Sequence, residues 1–185
     1  MGDTLENYKT YKHNPPHLFL PQTKYFVTGA IYQQKPLLCS DDAKNRLIES
    51  LKIGFNSKGW KLEDWVALHN HYHVISESPE NSSSLAEIIR DVHKFTAMWL
   101  RKYVEEARDM EKIWWNYWDS CITHEASYLS RLNYLWYNPQ KHGVIENAED
   151  WPFGSLIEHL RKDDAYVRNV CLNYPCDSVK VRDAF

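Results

Sequence analysis

The stretch Trp65-Val66-Ala67-Leu68-His69-Asn70-His71-Tyr72-His73-Val74-Ile75 decides how this chain is read. Its two ends are apolar and rich in β-branched and aromatic residues, as suits a buried strand. Set into it is a His-aromatic-His triplet. Strand side chains alternate faces, so His71 and His73 emerge on one face, about 7 Å apart along the strand. A single strand histidine is ordinarily a core or surface residue. A buried pair is different, because two imidazoles are costly to bury without partners and side by side form half of a divalent-metal site. His69 has the same parity and is the candidate third member of the row. The segment reads either as one long strand or as two strands joined near Asn70.

Upstream, Tyr25-Phe26-Val27-Thr28-Gly29-Ala30-Ile31-Tyr32 is a strand of β-formers, and Gly29 within it predicts a bulge or a close approach by another backbone. Ser40-Asp41-Asp42 offers a helix cap, Leu47, Ile48, Leu51 and Phe55 follow at helical spacing, and Gly59 closes the segment. Downstream, Pro79 to Ser83 is a turn, and Ser84 with Glu87 makes a capping-box pattern. Leu85, Ile88, Ile89, Val92, Phe95, Trp99, Leu100 and Tyr103 then predict a strongly amphipathic helix. Its opposite face carries Arg90, Lys94, Arg101 and Lys102, nearly all basic until Glu105-Glu106.

Trp114-Trp115-Asn116-Tyr117-Trp118-Asp119 is a dense aromatic cluster, read as a short strand or ribbon. A second helical pattern runs from Glu125 through Tyr128, Leu129, Leu132 and Leu135 to about Tyr137, stopping at Asn138-Pro139. The element order predicts an α+β sandwich, an antiparallel sheet with helices on one face. The domain organisation expected is an N-terminal arm over 1–23, a catalytic domain over 24–160 and a peripheral tail over 161–185. No internal repeat is present.

At 185 residues the chain is long enough for one domain with a sizeable core. The aromatic share of 14% exceeds what a core alone needs, leaving rings for stacking surfaces. A net charge of -3 excludes indiscriminate electrostatic capture of nucleic acid, so any such site must be a local basic groove. Cys39, Cys121, Cys171 and Cys176 contain no Cys-x-x-Cys pair and read as reduced thiols of an intracellular protein. The start of the chain is acidic with no apolar run after it, so neither a signal peptide nor a membrane span is expected.

Tyr134 and Asn138 lie four residues apart and share a helical face one turn apart. An amide oxygen beside two imidazoles would leave Mg²⁺ or Mn²⁺ with open positions for phosphate oxygens. Tyr134 could then attack the phosphorus of a bound phosphodiester. The plainer alternative makes Tyr134 one more amphipathic aromatic and Asn138 a helix C-cap.

Taken together, these parts resemble the single-tyrosine HUH transposases, in particular the REP-associated tyrosine transposase branch. The resemblance runs from about Tyr25 to Leu156. It is carried by the Tyr25-Phe26-Val27-Thr28 strand, Asn70-His71-Tyr72-His73, the helix ending Lys94-Phe95-Thr96, and Ile113 through Asp119. It continues through Tyr134-Leu135-Trp136-Tyr137-Asn138-Pro139-Gln140-Lys141-His142-Gly143-Val144 and Asp150-Trp151-Pro152. The resemblance implies a ferredoxin-like, RRM-like fold, with His71, His73 and Asn138 as ligands of a divalent metal (Mg or Mn) and Tyr134 as the nucleophile. It implies cleavage and rejoining of single-stranded hairpin DNA through a 5′-phosphotyrosine intermediate, in a bacterial cytoplasmic, nucleoid-associated protein that is a candidate homodimer. Tyr137 is the fallback nucleophile, and Asp119 is a candidate accessory group hydrogen-bonded to a ligand histidine. Candidate DNA contacts are Lys9, Lys12, Arg90, Lys94, Arg101 and Lys102, with Trp114, Trp115 and Trp118 as stacking platforms.

The chain departs from the family pattern at His69, where relatives usually carry proline, and at Gln140, where valine or leucine is commoner. Two further readings follow. One is a structured-DNA-binding protein of the same fold that does not cut. The other is a metal hydrolase using His69, His71 and His73 with an activated water.

Overall fold

The computed structural model describes residues 8–9, 17–18, 20–81, 85–177 and 179. Lys12, His13 and Ser84 lie outside the described residues, as does the side chain of Lys9. Within the segment read as an irregular arm, β1 (Tyr8–Lys9) and β2 (His17–Leu18) form a short antiparallel ribbon.

The main sheet has four antiparallel strands: β3 (Lys24–Ala30), β4 (Lys61–Ala67), β5 (His71–Glu77) and β6 (Trp118–Ile122), in the order β4-β5-β3-β6. Helix α1 (Asp41–Ser57) connects β3 to β4, and α2 (Leu85–Tyr103) connects β5 to β6. This β-α-β-β-α-β path with β3 central is the ferredoxin-like sandwich, and the α+β expectation is met.

Local chemistry accounts for the boundaries. Ser40 caps α1, its hydroxyl accepting from the Ala43 N–H at 3.2 Å. Gly59 ends it with a φ of +73°, a conformation in which a side chain is strained. Between β4 and β5 the chain turns over Leu68–Asn70, where the Leu68 N–H donates to the His71 carbonyl at 2.8 Å. The central stretch is therefore two strands, and the parity that put His69 in line with His71 is broken by that turn.

Tyr25, Val27, Tyr72 and Val74 point from the sheet toward α1 and α2, which bury Leu47, Leu51, Phe55, Ile88, Ile89 and Val92 against them. Gly29 sits under the Tyr72 ring: a Cβ built there would stand 2.4 Å from Tyr72 Cε1. The close approach expected at Gly29 is real, but a side chain makes it. The Tyr72 hydroxyl meets His93 Nε2 of α2 at 3.0 Å, and His93 stacks on Trp114 at 4.3 Å.

Helix α3 (Glu125–Lys141) packs on the other face, so the sheet is covered on both sides. It does not stop at Asn138-Pro139. Pro139 lies inside its last turn, where it removes only one N–H, and His142 forms the C-cap, donating to the Asn138 carbonyl at 3.0 Å. Asn138 is thus a helical residue in register with Tyr134, not a cap.

Helix α4 (Leu156–Asn173), broken at Asp163, lies against α3 and continues into the stretch read as a tail, burying Val167 and Val170. Asp64 of β4 fixes both helices. Its Oδ1 accepts from Ser155 Oγ at 2.7 Å, from His159 Nε2 at 2.7 Å and from Trp136 Nε1 at 3.2 Å. Trp136 lies between Tyr134 and Asn138 in α3, so this buried carboxylate also sets the register of the helix over β5. Among the described residues no helix is long and apolar enough to cross a membrane.

Candidate active site

His71 and His73 open β5 on the face covered by α3, with ring centroids 5.1 Å apart. Each is oriented through Nδ1. Asn70 donates its amide to the Gln34 carbonyl at 3.1 Å, which leaves Asn70 Oδ1 facing His71 Nδ1 at 2.7 Å as an acceptor. Thr28, paired with His73 across β3 and β5, holds His73 Nδ1 at 2.8 Å through Oγ1. A neutral imidazole carries one N–H. The Asn70 oxygen can only accept, so His71 Nδ1 carries the proton; the Thr28 hydroxyl can accept from His73 Nδ1 in the same way, and both Nε2 atoms then present lone pairs to the space under α3.

Asn138 Oδ1 is 3.2 Å from His71 Nε2, while His73 Nε2 and Asn138 Nδ2 are buried without a hydrogen-bond partner. An amide oxygen facing an imidazole lone pair is unfavourable. Turning the amide repairs that contact but strands its oxygen instead. Buried unsatisfied polar atoms cost roughly 1–3 kcal/mol each, and two fall in one place here. A divalent cation held by His71 Nε2, His73 Nε2 and Asn138 Oδ1 relieves the lone pairs together, so the residues present fit a Mg²⁺ or Mn²⁺ site. Among the described residues no three His, Cys, Asp or Glu side chains group as a metal site; the third donor here is a neutral amide.

Burial lowers the His71 pKa to about 4, helped by nearby His142 and opposed by the Asn138 contact. Burial likewise holds His73 well below the ordinary histidine value, with His71, His142 and Lys141 adding to the effect. Both rings are neutral at pH 7, the form in which imidazole binds a metal.

Tyr134 is buried against this pair, its ring 5.5 Å from His73 and 6.2 Å from Phe26, centroid to centroid. Lys141, two turns further along α3, places Nζ 4.3 Å from the centroid of the Tyr134 ring. The His142 ring is 4.9 Å from that of His71. The structure therefore brings together His71, His73, Asn138 and Tyr134, and surrounds them with Thr28, Asn70, Lys141 and His142.

Other candidates lie elsewhere. His69 packs its ring on Trp151 at 5.9 Å, in the turn before β5, so the three-histidine row does not form. Asp119 pairs with Val27 and so projects from the opposite sheet face to Thr28; the histidine contact expected of it is made by Thr28 and Asn70 instead. Tyr137 turns toward α4, where it meets Cys171, and burial raises its pKa to about 12.

Trp114 is buried, donating Nε1–H to Thr96 Oγ1 at 3.0 Å, and offers no face for stacking. Trp115 is exposed, stacked on Tyr32 at 5.1 Å with Lys112 Nζ 4.2 Å from its centroid. Trp118 is half-buried at the start of β6. Arg90, Lys94 and Lys102 are exposed on α2, behind the sheet from the histidines. Arg101 is tied to the Met110 and Glu111 carbonyls at 3.0–3.3 Å.

Thr28, Asn70, Lys141 and His142 were not assigned roles by the sequence reading, although each sits inside a quoted motif. The signals were available: Thr28 in the strand that pairs with β5, Asn70 next to the triplet, and Lys141 seven residues after Tyr134.

Fold and site define a class: a ferredoxin-like domain in which two strand histidines face a helical tyrosine and an amide one turn beyond it. Comparison with known proteins places a family beside that class. A REP-associated tyrosine transposase of Escherichia coli K12 is 27% identical over 98 residues, 52% of this chain and 54% of the relative. A chain bearing the same family name in Haemophilus influenzae Rd is 32% identical over 106 residues, 52% of this chain and 58% of that one. The chain thus spans little more than half the length of the curated relatives it matches. A solved REP-associated tyrosine transposase bound to a REP hairpin shares the fold, with a TM-score of 0.66 and 21% identity over 96% of this chain and 94% of the other. No family model matches the chain. In sequence over about half its length, and in fold, the protein is similar to REP-associated tyrosine transposases.

Proposed function

We propose that this protein is a metal-dependent DNA transposase that cleaves and rejoins single-stranded DNA beside a hairpin, through a 5′-phosphotyrosine intermediate. The observation that carries the reading is the gathering of two imidazole Nε2 atoms, the Asn138 amide and Tyr134 in one buried place, with polar atoms left unpaired. The similarity to REP-associated tyrosine transposases, one of them solved bound to a REP hairpin, supports it.

His71, His73 and Asn138 would hold a divalent cation, Mg²⁺ or Mn²⁺, which supplies Lewis-acid polarisation of the scissile phosphate. The protein's own residues do the rest. Asn70 fixes the His71 tautomer, and Thr28 holds His73 in place through Nδ1. The inner face of α3 buries the Tyr134 ring beside the histidines, so that the phenol is the nucleophile within reach. A free phenol, with pKa near 10, must lose its proton as it attacks. The bond from Tyr134 Oη to phosphorus forms, the bond to the 3′-oxygen breaks, and the displaced oxygen takes up a proton. Attack by another strand's 3′-hydroxyl reverses the sequence and rejoins DNA without external energy.

In this reading Trp115, with Lys112 over its ring, contacts the single-stranded flank. Arg90, Lys94 and Lys102, on the far side of the sheet, serve the backbone of the hairpin stem instead. A homodimer belongs to the same reading, and sedimentation with and without hairpin DNA tests it.

The direct experiment uses 3′-end-labelled hairpin oligonucleotides with single-stranded flanks, incubated with protein and Mn²⁺ and run on a denaturing gel. A labelled protein–DNA adduct that disappears with EDTA and with Tyr134→Phe is expected. Tight binding without an adduct would select the non-cutting DNA-binding reading instead.

A further inference from the structure

We infer that Lys141 is a catalytic residue, the cation that holds the scissile phosphate over Tyr134 and steadies the charge of the attacking phenolate. The inference rests on the function proposed above and adds a group to it.

Tyr134, Asn138 and Lys141 stand at i, i+4 and i+7 of α3, successive turns of one face. This places a proposed nucleophile, a proposed ligand and an ammonium in a single row above β5. The Lys141 Nζ lies 4.3 Å from the centroid of the Tyr134 ring, within the range at which a cation is attracted to an aromatic face. The side chain is otherwise exposed, while Tyr134 beneath it is buried. Lys141 therefore sets an exposed positive charge over the ring of a buried phenol. An incoming phosphate meets that charge first, in a protein whose net charge of -3 gives no general attraction for DNA.

The three ammonium protons suit a non-bridging phosphate oxygen as well as they suit a phenolate. As the bond from Oη to phosphorus forms and the bond from phosphorus to the 3′-oxygen breaks, negative charge passes from the phenolate across the phosphate to the leaving oxygen. The phenol proton is delivered through solvent to that oxygen, so atoms and charge balance. A cation above the ring can follow that charge from the start of this path to its middle, where stabilisation accelerates the step.

The test compares wild type with Lys141→Gln and Lys141→Arg, the latter keeping the charge. One readout needs neither metal nor DNA. 3-Fluorotyrosine is placed at position 134 alone, and its fluorine resonance is titrated with pH. Removal of the charge in Lys141→Gln is expected to raise the apparent pKa of that ring by about one unit, as for loss of an opposite charge at this range, and Lys141→Arg is expected to restore it. In the adduct assay with Mn²⁺, Lys141→Gln is expected to lower kcat about 10²-fold, the scale of removing one transition-state donor, with KM changed far less and Arg recovering most of the rate.

If wild type forms the adduct and Lys141→Gln forms it as fast, the inference is overturned and the proposed function stands. The inference also falls if the fluorine titration is unmoved by Lys141→Gln, or if Arg fails to rescue. Absence of any adduct with wild type overturns the proposed function, and the inference with it.

Discussion

Replacing Thr28 by valine removes one oxygen and almost no volume, which makes it a sharp probe of how the site is built. The Thr28 hydroxyl is buried and lies 2.8 Å from His73 Nδ1, whose other nitrogen already lacks a partner. Thr28→Val therefore leaves His73 with no hydrogen bond at either nitrogen. A buried donor left unsatisfied costs about 1–3 kcal/mol, so urea denaturation of the metal-free protein should show that loss with an unchanged slope. The same hydroxyl, in accepting from Nδ1, leaves the Nε2 lone pair turned toward Asn138. Losing such support typically weakens metal binding 10–100-fold, about 1.4–2.8 kcal/mol. Calorimetric titration with Mn²⁺ should show that drop. An unchanged Mn²⁺ affinity alongside the expected destabilisation would refute the claim that Thr28 prepares His73 as a ligand.

Three further outcomes are expected. Asp64→Ala strips a buried acceptor from Ser155, His159 and Trp136; it should cost roughly 3–5 kcal/mol, the scale of breaking a buried charged pair, read by chemical denaturation. The Asp64 hydrogen bond, against the opposing effect of burial, raises the His159 pKa above 6.5. Its stabilisation is complete below that ordinary value and is lost as pH rises through the raised one, so the stability gap between wild type and His159→Gln should be widest below pH 6.5 and shrink above it; a gap that widens with pH would contradict this. Gly29→Ala drives a Cβ into a Tyr72 ring pinned by His93 and Trp114, and should cost about 1–3 kcal/mol, visible as a lowered melting temperature.

The ferredoxin-like path was legible because the strands and helices announce themselves locally, by alternation in β3 and by the three-and-four spacing of α2. The proposed site was legible for the same reason. His71 and His73 are two apart in a strand, and Tyr134 and Asn138 are four apart in a helix, so each pair shares a face without knowledge of the fold. What failed depended on the third dimension. His69 was placed by parity across a turn that resets it. Asp119 was aimed at the histidines, but the β3–β6 register turns it to the opposite face. The basic face of α2 supplies candidate DNA contacts in the sequence, yet Tyr72, with parity opposite to its neighbours, shows that α2 lies behind the sheet from the histidines. Trp114 and Trp115 are neighbours in sequence, and only strand-like alternation separates the buried ring from the exposed one. Lys141 was missed because Asn138-Pro139 reads as a helix end. The helix runs one turn further: Pro139 forgoes one hydrogen bond, and the His142 N–H closes the end on the Asn138 carbonyl.

The central claim is that Tyr134 is the atom source of the covalent link to DNA. The most direct measurement digests the Mn²⁺-dependent protein–DNA adduct with nuclease and trypsin, then fragments the modified peptide by mass spectrometry. The account predicts a nucleotide on the peptide spanning residues 132–141, with fragment ions assigning it to Tyr134. Attachment at Tyr137, whose hydroxyl faces Cys171 and α4, would contradict it, and so would cleavage of the hairpin substrate with no modified peptide.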